Sequence, residues 1–394
     1  MLRIDAHVHY MPPLTSDELD ALCHQEPYWG LLFRPPAGTR SLQGWVSAER
    51  MLQDMEIAGI DYVVIQGQYR RTHEACVEHN DQLLALVRRW PERVVAFAVV
   101  QPMAGTRALD ELRRCLDGGM RGVGELNPYA QGFAINHPDF LRLVETCIAY
   151  DVPMNLHVSE EIGRYYPGKS ATPLRHYYWL ACRYPELKLI LAHWGGGLFF
   201  YELMPTVRKA LRNVWYDTAA SPLLYPSADI FEVALRCIDY RKLLFGSDYP
   251  LILFPRRQTE PDLRSFREQV EHLSLPIEVR EAVLGGNAAR LLKLEHYDTH
   301  PPVNEQAETE AKCSAFIEAP EAPVHGLMAV AMVAEHWPQT RAVFERYGIP
   351  WLDSPVPFWE PIVQAAAARG YGPSEQQQLL EELNAAIAQA TPHL

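Results

Sequence analysis

The stretch Leu2-Arg3-Ile4-Asp5-Ala6-His7-Val8-His9 is an apolar run that ends in His-x-His. Side chains alternate faces along a strand with period two, so His7 and His9 point the same way and can offer two imidazoles to one point. In a barrel of strand–helix repeats that point lies at the mouth, where such folds place their chemistry. Read alone, the motif is equally a pair of surface or core histidines, and the rest of the chain has to decide.

Seven further short apolar runs follow: 62–66, 94–100, 122–125, 154–157, 187–193, 214–217 and 243–248. Most are rich in Val, Ile and Leu, as strands buried on both faces of a parallel sheet are. Helical periodicity fills the gaps at 48–58, 73–90, 109–116, 138–150, 173–183, 201–211 and 230–238. This alternation predicts the α/β class, as a (β/α)8 barrel over residues 1–296. An open doubly wound sheet is the alternative, but it carries a glycine-rich phosphate turn after its first strand. Here that place holds His7-Val8-His9-Tyr10.

From Tyr10 to about Ser47 the chain reads as one long loop containing Arg34, Pro35, Pro36, Arg40 and Trp45. Loops of such length in compact domains are often functional, and this one is expected to cover the mouth. After Leu292 the texture changes. Residues 297–323, rich in Pro, Glu, Ala and Thr, read as a linker or strap. Helical patterns return at 327–336, 340–347, 359–369 and 375–390, which predicts a small all-helical domain over 324–394. Gly348 is the expected C-terminal stop of one helix and Ser374 the expected N-cap of another.

A net charge of −13 over 394 residues argues against a nucleic-acid partner, which calls for a basic face. The seven cysteines (Cys23, Cys76, Cys115, Cys147, Cys182, Cys237, Cys313) form no Cys-x-x-Cys pair. That pattern fits a reducing compartment better than a disulfide framework. With no signal-like segment and no long apolar span, the expectation is a cytoplasmic protein with no membrane partner.

Metal-ligand residue types recur where the predicted strands end. Glu125 closes the fourth, His157 the fifth, His193 the sixth and Asp248 the eighth. A single such residue is ordinarily a solvated strand end. Six at five strand ends of one barrel, counting His7 and His9, all aim at one mouth. Imidazole with carboxylate suits Zn, Mn or Fe rather than Ca or Mg.

With these residues in view, the chain resembles the amidohydrolase superfamily, in the branch often called amidohydrolase 2. That branch includes aminocarboxymuconate-semialdehyde decarboxylase, related decarboxylases and many hydrolases. The likeness rests on Asp5-Ala6-His7-Val8-His9, His157, His193-Trp194-Gly195-Gly196, Gly246-Ser247-Asp248-Tyr249-Pro250 and Gly286-Asn287-Ala288-Ala289-Arg290-Leu291. It implies that His7, His9, His157 and Asp248 bind a catalytic metal, with His193 the acid/base or a ligand to a second metal. Glu125 departs from the decarboxylase pattern. Binuclear members carry a modified Lys or a Glu there, and the full set is similar to that of TatD-type nucleases. A Glu between two ions favours hydrolysis, whereas a Glu behind a ligand His only orients it.

The resulting expectation is a metal-dependent hydrolase of an amide, lactone or related bond, with Asp248 and His193 as the catalytic pair. One or two divalent ions are expected, zinc first and Mn or Fe next. The alternative is a non-oxidative decarboxylase of an unsaturated or aromatic acid, and a metal-free binding barrel is the third reading. Arg34, Arg40 and Arg70 (with Arg71 beside it) are the expected grips for an acidic small-molecule substrate. Trp194 and Tyr249 are the expected aromatic walls, with Tyr129, Tyr165 and Tyr166 as further candidates.

The tail run Trp337-Pro338-Gln339-Thr340-Arg341-Ala342-Val343-Phe344-Glu345-Arg346-Tyr347-Gly348-Ile349, with Leu379 to Asn384, is similar to a small domain of unknown function found beside hybrid-cluster proteins. Those members often carry a cysteine pair after the Tyr-Gly, where this chain has Pro350-Trp351-Leu352-Asp353. A cluster role is therefore not expected. Contacts within a homo-oligomer, a dimer first, or a cap over a neighbour's site are the roles expected of it.

Overall fold

The computed structural model describes residues 2–35, 40–294, 323–351 and 360–390. The chain divides into two compact units, Met1–Val303 and Asn304–Leu394. The linker expected at 297–323 lies outside the described residues but for its last one, as do Pro36, Cys313, Leu352 and Asp353.

The first unit is a (β/α)8 barrel. Its strands are β1 (Ile4–Val8), β2 (Tyr62–Ile65), β3 (Val94–Ala96), β4 (Val123–Leu126), β5 (Met154–Leu156), β6 (Leu189–Leu191), β7 (Val214–Asp217) and β8 (Leu243–Leu244). All the paired strands run parallel, in the order β1-β2-β3 and β4-β5-β6-β7-β8. Two seams close the ring. Ala98 bridges Val123 between β3 and β4, and Val8 bridges Tyr249 between β8 and β1. Ala6 N–H donates to Phe245 O at 2.8 Å across the second seam, and Asp248 N–H to His7 O at 2.8 Å.

The surrounding helices follow from amphipathic spacing. Ala48–Ala58 buries Ala48, Met51, Met55 and Ala58, which lie along one face of a 3.6-residue period. The Ser47 hydroxyl caps its start by accepting from Arg50 N–H, and Gly59 at φ +61° ends it. The stretch 10–47 is not one open loop. It holds helices Ser16–Gln25 and Pro27–Phe33, the first opened by a Thr15/Glu18 capping box and the second by Pro27. The second buries Trp29 and Phe33.

The second unit contains helices Val330–His336, Arg341–Arg346, Ile362–Ala367 and Pro373–Ala390 around Val333, Phe344, Ile349, Ile362, Leu379 and Leu383. Gly348 takes φ +59° and its N–H bonds to Glu345 O, which terminates the preceding helix. Ser374 is not an N-cap. The helix already includes Pro373, and Gly372 N–H is satisfied by the Glu375 carboxylate at 2.7 Å. Among the described residues, no helix is long and apolar enough to cross a membrane.

Candidate metal centre

Six side chains from five strand ends converge at the mouth of the barrel in two groups. One is His7, His9 and Asp248; the other is Glu125, His157 and His193. In the first group His7 Nε2 is 3.3 Å from His9 Nε2, and His9 Nε2 is 3.3 Å from Asp248 Oδ1. In the second, His193 Nε2 is 3.3 Å from His157 Nδ1 and 3.4 Å from Glu125 Oε1. Two donors about 2.1 Å from a tetrahedral ion sit about 3.4 Å apart. Each group thus has the span of one ion's ligand shell.

Glu125 faces both groups. Its Oε1 is 2.8 Å from His157 Nδ1, and its Oε2 is 3.7 Å from His9 Nε2 and 3.9 Å from His7 Nε2. The backbone that places it depends on Gly124, which sits at φ +131°. A Cβ at Gly124 would lie 2.4 Å from Asn155 O, so only glycine fits. Gly67 then anchors the segment, donating to Gly124 O at 2.6 Å and accepting from Glu125 N–H at 3.0 Å.

The far side of each imidazole is engaged, and for His7, His9 and His193 the partner is a pure acceptor, which fixes the tautomer. His7 Nδ1–H donates to Asp217 Oδ2 at 2.9 Å, His9 Nδ1–H to Gln66 O at 3.2 Å, and His193 Nδ1–H to Ala219 O at 3.1 Å. His157 Nε2 lies 3.3 Å from the Ser159 hydroxyl, which can donate or accept. The Nε2 atoms of His7, His9 and His193 point into the two groups, as does His157 Nδ1, which faces the Glu125 carboxylate at 2.8 Å. Metal-ligating histidines are held in this way. The donor set therefore fits one or two divalent ions.

Electrostatics agree. Burial opposes a charged His7, yet Asp217, Glu125 and Asp248 raise its pKa to about 9. Burial opposes a charged His193 too, and Glu125, Asp248 and Asp217 raise it to about 10. Glu125 is held well below the usual carboxylate range, since His157, His193 and His7 outweigh its burial. A buried pocket that draws positive charge this strongly serves protons or cations equally well.

Asp217 was missed in the sequence, although β7 was expected to end on it. Besides orienting His7, its Oδ1 accepts from His193 N–H and Ala219 N–H, each at 3.0 Å. A carboxylate ending β7, one of the three strands not counted as donors, was the available signal.

The centre opens into a cavity of about 1140 Å³ lined by Tyr28, Trp29, Gln68, Tyr69, Tyr165 and Tyr166 among others. Four of the expected substrate contacts are corrected. Trp194 is 0% exposed and its indole N–H donates to Ser221 Oγ; Tyr249 is 1% exposed and its hydroxyl donates to Asp54 Oδ2. Both are packing residues. Arg34 is exposed and paired with Asp20 at 2.9 Å, away from the cavity wall. Arg70 is also off the wall, its pKa lowered by burial against the field of Glu26. Arg40 does reach the rim, but its guanidinium donates to Pro255 O and Gln258 O, which ties the first crossover to the segment after β8. The rim cations not anticipated are Arg164, Arg256 and Arg257. Tyr129 is exposed beside Tyr28 rather than on the wall.

A (β/α)8 barrel with imidazoles and carboxylates gathered at its strand ends is the build of a metal-dependent enzyme. Residues 4–294 match the amidohydrolase family, and the chain belongs to it. Solved structures share the fold at low identity. One is 5-carboxyvanillate decarboxylase from Novosphingobium aromaticivorans, with manganese and 4-hydroxy-3-methoxy-5-nitrobenzoic acid (16% identity, TM-score 0.58, 74% of this chain and 96% of that one). Another is dihydroxybenzoic acid decarboxylase from a Polaromonas species, with manganese and 2-nitroresorcinol (20%, 0.56, 74% and 97%). A third is 4-oxalomesaconate hydratase from Rhodopseudomonas palustris (17%, 0.52, 74% and 96%).

Proposed function

We propose that this chain is a hydrolase of an amide, lactone or related bond in a small acidic substrate, working with two divalent ions, zinc first. The observation that carries the reading is Glu125, whose two oxygens face two separate donor groups. His7, His9 and Asp248 would hold one ion, His157 and His193 the other, and Glu125 both. Such ions supply Lewis acidity and lower the pKa of bound water toward neutrality. Asp248, on the cavity wall, takes the proton of the attacking water and delivers it to the leaving nitrogen or oxygen. His193 has both nitrogens engaged, so in this reading it is a ligand and the proton work falls to Asp248. The arginines at the rim favour an anionic substrate despite the negative net charge.

A second reading, non-oxidative decarboxylation of an aromatic or unsaturated acid, is favoured by the named chemistry of the solved structures. Those names include decarboxylases and a hydratase, and on that ground alone the second reading stands ahead. The test is a metal count on purified protein, followed by a panel of lactones, N-acyl amino acids and hydroxybenzoates. Two ions with turnover of a lactone or amide support hydrolysis. One ion with stoichiometric CO2 release overturns it in favour of the lyase.

A further inference from the structure

Gln68 stands on the cavity wall with half of its carboxamide unused. The chain just past β2 threads between the two donor groups. Gln66 O accepts from His9, Gly67 pairs with Gly124 and Glu125, and Tyr69 O accepts from the Trp29 indole at 2.8 Å. The Gln68 backbone is itself pinned, its N–H donating to His79 Nε2 at 3.1 Å. Trp29 stacks with Tyr69 (centroids 4.5 Å apart) and with Phe33 (5.5 Å), and meets His9 edge-to-face. The backbone around Gln68 is therefore held from both sides, while its side chain is held only at one end.

Gln68 is 1% exposed. Among the described residues its Nε2 donates only to the Met11 thioether, at 3.0 Å, and its Oε1 has no partner. The orientation is decided by that sulfur. A thioether accepts but never donates, so turning the amide over would set oxygen against sulfur. The free end is an acceptor. A buried acceptor without a donor is costly, and a polar group of this kind at a site discriminates strongly for the ligand that satisfies it.

Resting on the metal-centre reading above, we propose that Gln68 is the specificity residue of this cavity: its carbonyl accepts from a neutral hydroxyl or N–H carried by the substrate next to the group held at the metal centre. A carboxamide does not ionise, so this selection does not change with pH, unlike a contact made by Glu or His. Gln68 positions substrate and takes no part in proton transfer.

The test uses benzohydroxamate, whose hydroxamate chelates divalent ions, and its 2-, 3- and 4-hydroxy isomers. Dissociation constants are measured calorimetrically on the metal-loaded full chain and on Gln68→Leu, with thermal melts to verify folding. At least one hydroxylated isomer should bind the natural protein about tenfold or more tightly than benzohydroxamate. That gain should vanish in Gln68→Leu while the affinity for benzohydroxamate holds. Binding of benzohydroxamate with no gain for any isomer overturns the assignment of Gln68 alone, as does a gain that survives in Gln68→Leu. No binding of benzohydroxamate at all overturns the metal-centre reading and this assignment with it.

Discussion

Replacing Asp217 with Asn changes one atom and should disable the first ligand group. Asp217 Oδ1 accepts from His193 N–H and Ala219 N–H, and Oδ2 accepts from His7 Nδ1–H at 2.9 Å. Asn has a single oxygen. If it keeps the two backbone donors, its NH2 meets His7 Nδ1–H donor to donor. The relief is for His7 to move its proton to Nε2, which then points at the position an ion would take. The loss combines a charge-assisted hydrogen bond with an inverted tautomer, about 2–3 kcal/mol, or about 30- to 150-fold in affinity for that ion. Chelator-stripped protein would be titrated with Zn2+ against a chromogenic competitor, so that two sites are resolved separately. The weakened site should be the one built on His7, His9 and Asp248, which Asp248→Asn identifies independently. Two sites of wild-type affinity in Asp217→Asn would refute the reasoning.

Glu125→Gln should lower the metal content from two ions to one, read by elemental analysis of protein purified in zinc-supplemented medium. Gly124→Ala forces a Cβ toward Asn155 O at a positive φ and should cost about 2–4 kcal/mol in urea unfolding, with metal content reduced as Glu125 shifts. Stripped protein should lose thermal stability as pH rises. His7 and His193 have folded pKa values of about 9 and about 10, above the ordinary 6.5, so their contribution is complete below pH 6.5 and lost as pH climbs through 9–10. The metal-loaded protein, its imidazoles neutral as ligands, should lack that slope; melting curves from pH 6 to 10 compare the two.

The barrel was legible because its strands are short apolar runs at regular spacing, a signal no tertiary contact has to complete. The six converging donors were legible for the same reason: each ends such a run. Legibility failed where the chain leaves the strand. Trp194 and Tyr249 directly follow donors at strand ends, and that position alone suggested that they wall the mouth. His193, Trp194 and Asp248 instead have φ of 56°, 60° and 70°. Left-handed residues break the alternation, and the two rings turn into the core. The helices within 10–47 were hidden by prolines, which read as breakers but serve Pro27 as a first helical residue. Gln68 and Asp217 carried no motif. Their importance comes from what lies behind or beside them in space.

Closure of β1 onto β8 has a consequence for the order of events in synthesis. Asp5 Oδ1 accepts from Ser247 N–H across a separation of 242 residues, and the seam holds His7 and Asp248 together. A nascent chain presents His7 and His9 first and Asp248 last, with the other donors emerging between them. Until β8 leaves the ribosome, the first ligand group lacks its carboxylate and its backbone clamp. The group built on His7, His9 and Asp248 is therefore complete only once the ring closes, whereas Glu125, His157 and His193 have all emerged before β8.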